Sequence, residues 1–229
     1  LIRREAIHAA HRAQSSVEDY RGQLTGTVTL GILMSWGTLN LPAALQQFRR
    51  VNPLVTVRLR QSLTGSAGHL AAIADGQMDL ALVSIQSPRS PLVALRELTR
   101  EPMVLVCESS HPLAGRARVQ LGDLDGQDLI QFPVGWGTHQ RLDAGFAGAG
   151  VHPVDAYDVA DYAIAAELDR HRLATAILPM SAANRFPDLR RIPVRPPLTW
   201  TLSIASAPPQ YISRAASALA DTQISLVDR

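Results

Sequence analysis

The chain has 229 residues, of which 46% are hydrophobic and 18% charged, and a formal net charge of +2. That balance excludes a disordered chain and gives enough length for one large domain or two small ones; no apolar run approaches the roughly 20 residues that cross a bilayer. The lone cysteine, Cys107, excludes an intrachain disulfide and fits a reducing compartment. All 22 basic residues are Arg, spread along the chain and not clustered as a nucleic-acid surface requires.

The first 20 residues read as an amphipathic helix: Ile2, Ala6, Ala9, Ala13, Val17 and Tyr20 recur at three- and four-residue spacing. Its seam is thin, so it is expected to pack against a partner. There is no apolar h-region of a secretory signal, and the start inside a helical pattern suggests a piece of something longer. Strands and helices then alternate. Strand 27–33 is followed by helix 39–53, stopped at Asn52-Pro53. Strand 56–62 alternates Val57 and Leu59 with Arg58 and Arg60. Helix 66–77 leads into the strand "DLALVS". This is an α/β module with a parallel sheet. A second module has strand 103–109, a turn at "HPLAG", a strand ending at Phe132, helix 138–147, strand 154–160, helix 161–170 and strand 174–179. Strand 199–206 and a last helix, 209–221, opened by Pro208-Pro209, complete the chain.

"GQLTGTVTLGI", "LPAALQQFRRVNPLVTVRL", "ADGQMDLALV", "HPLAG" and "AILP" occur in one register, in the order found in LysR-type transcriptional regulators. The chain resembles the effector-binding part of that family with the end of its linker helix. The resemblance implies an α/β fold of two Rossmann-like subdomains, similar to type 2 periplasmic binding proteins and joined by two crossover strands. Residues 1–22 would be the end of the dimerising linker helix, 23–99 with 206–229 subdomain I, and 100–205 subdomain II. The family's winged helix-turn-helix domain is absent from this chain. One departure stands out: where the family commonly has Gly-x-Gly before the "AILP" strand, this sequence has Arg172 and Ala174, so the turn out of the preceding helix must be made differently.

The resemblance further implies a small-molecule effector between the subdomains, a cytoplasmic homodimer or homotetramer, and operator DNA reached through the missing domain, with no membrane partner. In the expected pairing, helix 39–51 meets helix 209–221 of a second copy. Ser35, Ser66 and Thr138 fall in loops between a strand and the next helix, at positions matching effector contacts of the family. Helix starts favour anions, which suits a carboxylate; Ser and Thr are also ordinary N-caps. Trp36 and Trp136 flank these loops and point to an aromatic or planar effector, or else fill the cores. Thr64, Gly65 and Gly137 supply polar edges and close backbone approach, and His139 is a candidate positive charge.

Enzyme chemistry finds little support. Asp79, at the mouth of the "LALV" strand, has no ionisable partner nearby in sequence and reads as a structural corner. Cys107 and His111 are spaced like a dyad, but the cysteine sits in an apolar strand. His8 and His11 lack a third metal ligand, and no phosphate loop, dinucleotide fingerprint or nucleophile elbow is present. No catalytic residue, cofactor or metal is expected. The rival reading is a solute-binding receptor of a transport system with the same fold.

Overall fold

The computed structural model describes residues 23–85 and 90–225. The helix expected over residues 1–22, with His8 and His11, lies outside the described residues. The chain divides into two compact units. Among the described residues the first contains 23–62, 66–99 and 202–225, and the second 63–65 and 100–201.

In the first unit, β1 (Gly26–Gly31) pairs in parallel with β2 (Val55–Arg60) on one side and with β3 (Leu80–Val83) on the other. β3 pairs antiparallel with the last part of β10 (Thr199–Ser206), so the sheet is mixed and not purely parallel as the alternation suggested. All four residues of β3 are buried, as expected of a strand covered on both faces. β2 is the edge strand, which leaves Leu59 42% exposed despite its alternating pattern.

Helix α1 (Leu41–Val51) starts where Asn40 accepts a hydrogen bond from the Ala43 N–H at 3.2 Å, with Pro42 in its first turn. It buries Leu41, Ala44 and Phe48 and closes at Asn52, whose N–H donates to Phe48 O at 2.8 Å. Helix α2 (Gly65–Ala74) places Ile73 against Ala81, Val83, Val93 and Ala205.

The second unit is built on the later part of β4 (Ala94–Cys107), which lies antiparallel to both β8 (Ala176–Pro179) and β9 (Arg190–Arg195). The short β5 (Val119–Gln120) runs parallel to β9. β6 (Asp128–Gln131) runs parallel to β7 (Val154–Asp158) and touches the approach to β8 through Ile130 N–H to Thr175 O at 2.8 Å. Helices α3 (Gly137–Ala149), α4 (Tyr162–Arg170) and the single turn α5 (Met180–Ala183) complete it. The chain passes from the first unit to the second within β4 and returns within β10.

One feature of the sequence reading needs correction. The last helix, α6 (Arg214–Ser225), begins five residues later than its prolines suggested. Pro208 instead opens a turn that Tyr211 N–H closes on Pro208 O at 2.8 Å, and Ser213 caps the helix by accepting from Ala216 N–H at 3.1 Å. Helices α1 and α6 pack on one another within this chain.

The turn at Arg172 is resolved by the backbone. Arg172 has φ +59°, and its N–H donates to Asp169 O at 2.8 Å while Leu173 N–H reaches Leu168 O at 3.0 Å. This is a Schellman closure with arginine at the left-handed position that glycine takes at the end of α3, Gly150.

Candidate functional site

The β1–α1 loop carries Ser35 and Trp36, both half-buried. Ser35 Oγ accepts from Gly37 N–H at 3.4 Å, and Trp36 O accepts from Leu39 N–H at 3.2 Å. Ser35 is not the cap of α1, because Asn40 holds that role. Its hydroxyl therefore braces the loop and keeps hydrogen-bonding capacity to spare.

Ser66 differs. It is fully buried, its Oγ accepts from Ser84 N–H at 2.9 Å, and it faces Ser84 O at 3.5 Å. This hydroxyl pins the start of α2 to the end of β3. Thr64 is exposed beside it. Gly65 has φ +54°, and a Cβ there would lie 2.6 Å from Trp136 Cδ1, so both the backbone and the indole require glycine.

In the second unit, Trp136 is the residue before α3 and is only 9% exposed. Its ring stacks on Phe132 at 6.3 Å and meets Tyr162 edge-on at 6.2 Å, while Phe132 and Tyr162 cross at 5.1 Å. Its Nε1–H donates to Leu63 O at 3.3 Å. The tryptophan is thus a wall of an aromatic core more than a free platform. Thr138 is 2% exposed and shares a 2.8 Å hydrogen bond with the Tyr162 hydroxyl, whose pKa burial pushes up to about 12. Gly137 opens α3, and Trp136 supplies no side-chain cap, so the first N–H groups of that helix have no capping oxygen from it. His139 has Nδ1 at 2.7 Å from Phe132 O and Nε2 at 3.0 Å from Asp143 Oδ2. Both ring nitrogens face protein oxygens.

The remaining candidates are structural. Asp79 Oδ2 accepts from Thr29 N–H at 2.7 Å, and Asp79 N–H donates to Thr29 O at 3.2 Å, so the carboxylate extends the β1–β3 pairing where the ladder starts. The Cys107 thiol is pushed up to about 12, chiefly by burial and then by Asp169, which leaves it a neutral and poor nucleophile. His111 Nδ1 accepts from Leu113 N–H at 3.2 Å and serves the "HPLAG" turn. Among the described residues no three His, Cys, Asp or Glu side chains gather as a metal set, and no helix is long and apolar enough to cross a membrane.

Asp169 and His69 are buried titratable groups that the sequence does not single out. Asp169, 2% exposed, accepts from Glu108 N–H at 2.7 Å through Oδ1, while Oδ2 has no partner; burial lifts its pKa to about 7. His69, on α2, is fully buried with Nε2 at 3.1 Å from Ile32 O and Nδ1 unpartnered, and burial lowers its pKa. No local motif marks either, because both depend on contacts distant in sequence.

The sequence model of the LysR substrate binding domain matches residues 21–223. The chain belongs to the LysR substrate-binding domain family. Two Bacillus subtilis relatives are HTH-type transcriptional regulators. YybE is 27% identical over 154 residues, 67% of this chain and 52% of the relative. YwbI is 27% identical over 196 residues, 84% of this chain and 64% of the relative. The chain thus spans between half and two-thirds of the length of these relatives. Among solved structures, the effector-binding domain of QuiR in complex with shikimate superposes with a TM-score of 0.78 at 22% identity, covering 89% of this chain and 98% of that one. Full-length CbnR complexed with its target DNA gives 0.70 at 22%, covering 99% of this chain and 79% of that one. These likenesses give the fold, the type 2 periplasmic-binding-protein-like fold of LysR effector-binding domains.

Proposed function

We propose that this chain is the sensory part of a cytoplasmic LysR-type transcriptional regulator, working as a homodimer or homotetramer. It binds a small carboxylate, aromatic or planar, through the strand-end loops that carry Ser35, Trp36, Thr64 to Ser66, and Trp136 to His139. Binding biases the conformation of the oligomer and hence how a separate DNA-reading domain meets its operator. The ligand acts only through its preference for one conformation over another. The reaction is binding alone, with no cofactor and no bond made or broken.

The observation that carries this reading is the family match over residues 21–223. The local geometry supports a division of labour. The Ser66 and Thr138 hydroxyls are engaged by Ser84 and Tyr162, so recognition of an acid falls to Ser35 and to backbone N–H groups at the start of α3. The relatives' description as HTH-type transcriptional regulators favours this reading over a solute receptor.

Calorimetric titration with a panel of aromatic and aliphatic carboxylates tests it. One acid should bind saturably, and Ser35→Ala should weaken it about tenfold, roughly 1.4 kcal/mol. An affinity unmoved by Ser35→Ala removes that residue from the site. Conversion of any panel member, followed by mass spectrometry, refutes a purely sensory role.

A further inference from the structure

An open polar groove lies wholly within the first unit, between the edge strand β2 and helix α2, with a volume of roughly 410 Å³. That is in the range of small-ligand pockets. Its floor follows from register. Thr29 of β1 is the partner of Arg58 and Gly31 the partner of Arg60, so the two arginines, two residues apart, share one face of β2. The opposite wall is made of the small residues Gly68 and Ala72 of α2. Gln61 and His69 also line it, and no Asp or Glu does.

Neither arginine has an ion pair among the described residues. Edge-strand charges often serve only to block strand pairing. Such charges need no concavity. Here two guanidiniums stand two residues apart over a hollow whose other lining groups are neutral.

We propose that this groove is a second binding site, distinct from the strand-end loops, for a small doubly charged oxyanion held by Arg58 and Arg60. Guanidinium forks match phosphate and carboxylate oxygens two at a time. Two of them favour a dianion, either a phosphate monoester or a dicarboxylate.

The test is NMR observation of arginine side-chain Nε–H signals in the whole chain, titrated with inorganic phosphate or with malonate, against sodium chloride at matched ionic strength. Saturable shifts confined to Arg58 and Arg60 are expected, and the stronger anion identifies the source. The double variant Arg58→Gln/Arg60→Gln should bind at least tenfold more weakly. Ala72→Glu, which sets a carboxylate inside the groove, should abolish binding while the chain melts as before. Shifts equal to those with chloride, or an unchanged affinity in the double variant, overturn the site. So does duplex DNA that shifts the same two arginine signals when neither phosphate nor malonate does, which would make them a nucleic-acid contact.

Discussion

The starts of α2 and α3 look alike in sequence, each a glycine followed by a hydroxyl residue, but they are secured differently. At α2 the Ser66 hydroxyl holds the backbone of Ser84, 18 residues away on β3. At α3 the Thr138 hydroxyl holds another side chain, Tyr162, the first residue of α4, inside a cluster with Phe132 and Trp136. The first unit fixes its helix start with one polar hook to the main chain. The second uses an aromatic core that happens to carry a polar contact. A hydroxyl at a helix start is therefore not evidence of a free ligand contact until its partner is known.

The comparison breaks most readily at Phe132. This side chain is completely buried among the rings, and Phe132→Ala should cost about 3–5 kcal/mol in urea unfolding. Trp36→Ala, in the half-buried loop of the first unit, should cost much less; equal losses would mean the two units are held alike.

Two buried groups, His69 in the first unit and Asp169 in the second, differ in the sign of their acid response. His69 is held below its usual pKa by burial, so the folded first unit resists the proton that the unfolded chain accepts, and stability falls as pH drops below about 6.5. Asp169 is raised to about 7, so its folded form binds the proton the more tightly. Its contribution is complete below about pH 4 and is lost as pH rises through 7, an effect on the order of a few kcal/mol. His111, also lowered by burial, shares the sign of His69 inside the second unit. Denaturation from pH 4 to 8 should show Asp169→Asn removing the decline toward neutral pH and His69→Gln flattening the acid limb. A parallel pH profile for wild type and Asp169→Asn would place that carboxylate in water.

A double-mutant cycle sharpens the contrast further. Ser66→Ala should cost about 1–3 kcal/mol, because it strands a buried N–H. Thr138→Val should cost a similar amount alone, yet much less once Tyr162→Phe removes the orphaned hydroxyl. No second side-chain change can relieve Ser66→Ala. The smallest effect is a gain. Arg172→Gly should stabilise the second unit by up to about 1 kcal/mol, since the left-handed turn strains arginine and its 3.4 Å contact with Glu108 is largely exposed.

The alternation of strands and helices was legible because buried runs such as "LALV" and stops such as Asn52-Pro53 act locally. Asp79 was also read correctly as a corner, its partner Thr29 supplied by the fold. Strand β9 is hard to read from sequence: only Ile192 and Val194 turn inward, a proline lies between them, and the flanking residues are arginines. The first half of β4, "ALRELTRE", is too charged to read as a strand. The start of α6 lies beyond the proline pair because such a pair signals a helix opening as readily as the turn it makes here. At the candidate loops, sequence could nominate Ser35, Ser66 and Thr138. It could not see that two of those hydroxyls were already taken, since the partners lie 18 and 24 residues away.

The two passages of chain through β4 and β10 set an order of events during synthesis. Apart from residues 63–65, the second unit is one continuous stretch, finished when Thr201 emerges. The first is then still missing the strand that flanks β3 and the helix that covers α1. A nascent chain halted near residue 201 would hold one folded unit and one open sheet, and the last two dozen residues act as the closing piece of the part made first.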